Sequence, residues 1–211
     1  MMLFALILTI LTSLKDGMFH TAYETEVEAS ADTCNMVVDD MIHCLQTNPE
    51  LLSEKYFAGL GMQKDTKKNS FYLHWKESFY SPEDQYSRLV LDVLVNEKPF
   101  VKDMVVEAFV SDSVVDSRRN IRVDIKYAGT LIKEAYGSFH IESIGADRAR
   151  IGMDVHLRFG WFFRIFITRK VYSDTIDWRL VRFVTNIKLR SEGIVPDDVY
   201  WEVIDQANKT E

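Results

Sequence analysis

Arg169 is the residue whose setting most invites a chemical role. It falls on a helical stripe of otherwise apolar residues, Ile165, Tyr172, Ile176, Leu180, Phe183 and Ile187. A guanidinium in such company must be paired, solvated or bound to an anionic group. A lipid carboxylate or phosphate would suit it, and so would a strand carboxylate, while a helical phase displaced by one residue would remove the anomaly altogether. Tyr136, His140 and Glu142 form a second set. On a strand His140 and Glu142 share a face and could act as acid and base. Yet Ile132, Glu134, Tyr136, Ser138, His140 and Glu142 make the more polar side of that segment, which is expected to meet solvent. His74, Asp154 and His156 likewise alternate away from the apolar side of their strands.

Other chemistries lack their residues. The histidines at 20, 43, 74, 140 and 156 include no i, i+4 pair and no pairing with cysteine, so no metal site is expected. The nine glycines are scattered, giving no phosphate-cradling loop, and no GxSxG turn presents a nucleophile. No catalytic residue and no cofactor is therefore assigned. Cys34 and Cys44 lie in one predicted helix, where ten residues span about 15 Å against the about 7 Å limit for a disulfide. A net charge of −7 opposes a phosphate backbone, which calls for clustered Lys and Arg, so nucleic acid is not an expected partner.

The elements that must hold these residues are legible from periodicity. With 211 residues, 47% of them hydrophobic, the chain fits one packed domain. Residues 19–29 alternate with period two and read as a first strand, and Ser30 or Asp32 is placed to cap a helix carrying Met36, Val37, Met41, Ile42 and Leu45. Pro49 suits the first turn of a second helix. A polar connection over 61–70 leads into strands around 71–79, 88–95, 102–114, 121–127, 131–144 and 149–159. The last is the cleanest: Ala149, Ile151, Met153, Val155, Leu157 and Phe159 face one way, and charged or polar side chains face the other. From Gly160 some thirty residues carry apolar positions at helical spacing, up to a terminating Gly193.

The N-terminus is the one targeting signal. Residues 1–14 are an almost unbroken apolar run, too short to span a bilayer but suited to a signal-peptide core. No Lys or Arg precedes it, and the small-residue site near Ser13 is poor. A cleaved signal, a retained anchor, or an upstream start with Met18 as working initiator all stay open. The chain is secreted or membrane-associated if the segment is used, with possible membrane contact there, and cytoplasmic otherwise. Asn208-Lys209-Thr210 is a formal glycosylation sequon.

In order, this is strand, helix, helix, six strands, long helix. That order, with the opening stretch TAYETEVEASADTCNMVVDDM, resembles the START-like or Bet v 1-like (SRPBCC) helix-grip superfamily over about 19–192. The resemblance implies an α+β fold, with a seven-stranded curved antiparallel sheet wrapped around a long C-terminal helix and two short helices after the first strand. The domain would span 18–193, between an apolar segment at 1–17 and a tail at 194–211. The resemblance also implies a cavity between sheet and helix. It places there Leu73, Trp75, Leu91, Val106, Phe139, Met153, Val155 and Leu157 from strands, with Ile165, Arg169, Tyr172 and Ile176 from the helix. Those side chains would either bound a ligand or simply fill a core. The implied function is binding or transport of a lipid or other hydrophobic small molecule without catalysis. The alternatives are a polyketide cyclase or dehydratase, which needs titratable side chains converging in the cavity, and a membrane-tethered interaction module with a filled core.

Overall fold

The computed structural model describes residues 11–60, 71–81, 83–95 and 98–207. The apolar residues 1–10, the polar connection 61–70 and the sequon at 208–210 lie outside the described residues.

Eight antiparallel strands form one sheet in the order β1-β2-β8-β7-β6-β5-β4-β3. They are β1 (Leu11–Lys15), β2 (Met18–Val27), β3 (Phe71–Ser81), β4 (Tyr86–Val95), β5 (Lys98–Val115), β6 (Arg118–Tyr127), β7 (Ile132–Gly145) and β8 (Arg148–Phe159). The count exceeds the expected seven by one. The extra strand comes from the end of the apolar N-terminal run, which turns at Asp16 and Gly17 and pairs Leu11 with Ala22 through Lys15 with Met18. Both turn residues have positive φ, 52° and 74°, as a tight two-residue hairpin requires.

Two helices follow β2. In α1 (Ala31–Thr47) the Ser30 hydroxyl accepts from the Thr33 backbone N–H at 3.2 Å. In α2 (Pro49–Tyr56) the Asn48 side chain accepts from the Leu51 N–H at 3.2 Å, and proline occupies the first turn, where its missing donor costs nothing. With the last long helix, over Trp178–Ser191, they cover the concave face of the sheet. The core there joins Tyr23, Val27, Cys34, Val38, Ile141, Ile151, Val184 and Ile187. Cys34 and Cys44 are both buried free thiols.

The C-terminal helical region departs from one continuous rod. It begins with a single turn, α3 (Trp161–Arg164), and after a break resumes at α4 (Arg169–Tyr172), capped by the Thr168 hydroxyl. A π-helical turn over Ser173–Asp177 then joins it to α5 (Trp178–Ser191). Each π turn inserts a residue relative to the α period, so a stripe extrapolated at 3.6 residues per turn drifts out of phase. Ile165 and Arg169, expected on the inner stripe, lie on either side of the break between α3 and α4 and are exposed, whereas Tyr172 and Ile187, on either side of the π turn, are fully buried.

After Gly193 the chain forms α6 (Asp198–Ala207). The Asn186 amide ties this helix into the domain. It is completely buried, donates to the carbonyls of Tyr56 and Ala58 at 2.9 Å each, and accepts from the Trp201 indole N–H at 2.9 Å. Gly59, at φ +69°, lies under the Trp201 ring, where a Cβ would stand only 2.3 Å from it. Among the described residues no helix is long and apolar enough to cross a membrane.

Candidate ligand cavity

Where the sheet curves away from α5, packing does not close the gap. A half-enclosed cavity of about 380 Å³ lies between α1 and the concave face of β3 to β8. Met41, Ile42, Leu45 and Gln46 of α1 cover it, with Phe183 of α5 at one side. Its floor is built from alternate strand positions, whose side chains all project to one face: Val106, Ala108 and Val110 of β5; Ile121, Val123 and Ile125 of β6; Ala135, Gly137 and Phe139 of β7; Met153 and Val155 of β8. Small residues in the middle of the floor make the room. Gly137 is packed so closely on β8 that a Cβ would stand 2.6 Å from the Asp154 carbonyl.

The lining is almost wholly apolar. Its polar residues are Gln46, Ser78, Tyr80 and Ser87, near the end facing β3 and β4, with Tyr136 and Ser138 of β7, of which Tyr136 stacks its ring on His156. Among the described residues no Asp, Glu, His, Lys or Arg lines it. A second, polar cleft of about 310 Å³ shares Ile42, Gln46, Tyr80, Val110 and Ile121 with the cavity and adds Asp39, His43, Gln85, Asp112 and Arg119. The charged mouth is self-satisfied: the Arg119 guanidinium reaches Asp39 at 2.7 Å and Asp112 at 2.6 Å.

Of the twelve residues expected at a ligand site, Val106, Phe139, Met153 and Val155 lie on this cavity. The others are dispersed. Leu73, Trp75 and Leu91 pack with Val93 and Met104 toward the β3 edge of the sheet, and the Trp75 indole donates to Ser53 at 2.9 Å. Leu157, Tyr172 and Ile176 pack around Phe19 and Phe159, where the Phe19 and Tyr172 rings stack at 4.2 Å. Ile165 and Arg169 are at the surface. The α1 residues were legible as an apolar helical stripe, but nothing in their spacing says that α1, rather than the last helix, roofs the space.

Among the described residues the one buried carboxylate near the last helix is Asp177, in the π turn. It accepts from the Thr21 hydroxyl at 2.7 Å, and Thr21 also contacts the Tyr172 hydroxyl at 3.1 Å. Burial, reinforced by the Asp177 charge and opposed by the Thr21 contact, pushes the Tyr172 phenol above its ordinary range. This trio is enclosed by core and does not line the cavity, so it joins β2 to the helix rather than facing a substrate.

The polar faces of the strands meet the opposite, convex side, as their alternation required. His140 is nevertheless buried, because its ring lies over Gly152 of the neighbouring strand, in space that a Cβ would fill at 2.5 Å, and bonds Glu24 at 3.1 Å. Desolvation lowers its pKa from the ordinary 6.5, against the opposing pull of Glu24. In the aromatic segment after Gly160, Phe163 packs edge-on against Phe100, while Trp161, Phe162 and Phe166 are exposed.

No family model and no curated protein sequence matches the chain. Solved structures do. A START superfamily protein from Mycobacterium smegmatis is 15% identical with a TM-score of 0.51, over 82% of this chain and 97% of the other. A conserved protein from Geobacillus kaustophilus is 12% identical with a TM-score of 0.51, over 82% and 95%. A truncated norcoclaurine synthase from Thalictrum flavum is 14% identical with a TM-score of 0.49, over 86% and 94%. The class is thereby defined at the level of architecture: the chain has the START-like, SRPBCC-type helix-grip fold that its element order implied.

Proposed function

We propose that this protein binds a largely apolar small molecule, such as a lipid or isoprenoid-like compound, in the cavity beneath α1, and does so without catalysis. The observation that carries the proposal is the lining. At about 380 Å³ the space falls within the range of about 300–1,000 Å³ of small-molecule sites, and it offers apolar walls with a few neutral hydrogen-bonding groups at one end. The binder would lay its apolar body against Val106, Phe139, Met153 and Val155 and turn a neutral polar group toward Gln46, Ser78, Tyr80 or Ser87. An acid-base mechanism of the cyclase kind is disfavoured because proton transfer needs titratable side chains within hydrogen-bond reach of the reacting atoms, and the lining provides only tyrosines. A filled-core module is disfavoured by the cavity itself.

Native mass spectrometry of the purified chain, followed by titration with a fluorescent fatty acid, tests the proposal. The wild-type protein is expected to carry or take up one apolar molecule. Ala108→Phe, which inserts a ring into the floor, is expected to lower probe affinity at least tenfold with a native far-UV spectrum. Binding undiminished in that variant, or no uptake by the wild type of any fatty acid, sterol or isoprenoid offered, would overturn it.

A further inference from the structure

Three potential metal donors that are far apart in sequence meet on the convex face. His20 of β2 is the direct cross-strand partner of His156 of β8, and Asp154 lies two residues before His156 on the same side of β8. Directly opposed residues of an antiparallel pair have Cβ atoms about 4.5–5.5 Å apart, a separation at which two imidazoles can address one point. Here the rings stack with centroids 4.2 Å apart and planes 7° from parallel. Both Nε2 atoms aim at one carboxylate: His20 Nε2 lies 2.7 Å from Asp154 Oδ2, and His156 Nε2 lies 2.8 Å from Asp154 Oδ1. An ionised carboxylate only accepts hydrogen bonds, so each of these nitrogens carries a hydrogen in this arrangement. The three donor atoms lie within 4.8 Å of one another.

We infer that His20, Asp154 and His156 form a binding site for a divalent transition-metal ion of the zinc type. Zinc sits about 2.0–2.1 Å from imidazole nitrogen and about 2.0–2.2 Å from carboxylate oxygen, so a small turn of the two rings about their Cβ bonds brings both Nε2 atoms onto one ion beside the carboxylate. A neutral ring moves its hydrogen to Nδ1 as Nε2 takes the metal, with no net loss of a proton. The site is braced on one side. Tyr136, the β7 partner of His156, stacks on that ring at 4.5 Å, and the Arg122 guanidinium covers the Tyr136 ring at 5.7 Å. All three ligands are half-buried, with 26–41% of each side chain accessible, so solvent can enter and occupy a fourth position. Two nitrogens and one oxygen suit zinc, copper or nickel, whereas calcium and magnesium demand shells of six or more oxygens. Bound metal would clip β2 to β8, on the opposite side of the sheet from the cavity. The inference is therefore independent of the proposed ligand.

Isothermal titration of the full chain with Zn²⁺ in a non-chelating buffer tests it. One ion per chain is expected. His20→Ala, His156→Ala and Asp154→Asn should each weaken binding at least tenfold, while His43→Ala and His74→Ala should leave it unchanged, and Mg²⁺ should give no binding. Far-UV spectra and thermal midpoints in EDTA establish that the variants fold. Should a variant not fold, the wild-type imidazole resonances decide: Zn²⁺ must shift those of His20 and His156 together. No binding by the wild type, undiminished binding in the His20→Ala His156→Ala double variant, or Zn²⁺-induced shifts confined to other histidines would overturn the inference.

Discussion

The two faces of this sheet are built from the same strands, yet they do opposite things with the same alternation. On β8, Ala149, Ile151, Met153 and Val155 face inward, toward core and cavity, while Arg150, Asp154 and His156 face out. The inner face has space and, among the described residues, no charge on the cavity wall; the outer face has a dense ladder of titratable groups. Chemistry and room are thus segregated by a period of two. Glu24, Glu26, Arg148, Arg150 and His140 satisfy one another across β2, β8 and β7. In a related architecture that did acid-base work on an enclosed substrate, some of that polarity would have to be inside.

Within the inner face the comparison can be broken at neighbouring positions. Ile151 is fully buried in close-packed core, so Ile151→Ala should cost about 3 kcal/mol of stability. Met153, on the same side of the same strand, borders the cavity. Truncating it enlarges an existing space rather than opening a new one, and Met153→Ala should cost less, about 2 kcal/mol. Denaturant unfolding of both variants measures the difference. Equal losses would mean that the cavity closes in solution.

Across the sheet, Gly152→Ala is the sharper test of the outer face. The added Cβ meets His140 Cε1 at 2.5 Å, so the ring must leave its slot, at a cost of about 2 kcal/mol. In a His140→Ala background the same glycine substitution should cost much less, giving a coupling of about 1 kcal/mol in a double-mutant cycle. Strict additivity would show that His140 does not occupy that slot.

The smallest expected effect is in pH dependence. Burial holds the His140 pKa in the folded protein below the ordinary 6.5, so the unfolded chain takes up its proton first. The associated stability is present above pH 6.5 and is lost as pH falls toward the folded value. His140→Gln should therefore make the acid limb of the stability profile shallower than in the wild type, with little change above pH 7. A steeper limb in the variant would mean that the Glu24 bond outweighs desolvation.

Much of this was legible in the chain. Every strand of 149–159 type announces its facing by alternation, and Ser30, Asn48 and Pro49 announce helix starts through chemistry that acts within three residues. Arg169 was misplaced because the stripe was extrapolated through a break at 165–168, between α3 and α4, which leaves no periodic trace. The His20, Asp154 and His156 set was invisible to a search for helical spacing, since the register of β2 on β8 joins residues more than 130 positions apart.

Near-neighbour interactions made legible which side of most strands is apolar, where α1 and α2 begin, and the order of elements that gives a helix-grip fold. That α1 roofs the cavity, that four of the twelve expected residues reach it, that an eighth strand extends the sheet, and that two histidines share one carboxylate emerge at the level of the folded chain. Each of those depends on how distant segments are registered and how the sheet curves, and both are set by the packing of the whole chain.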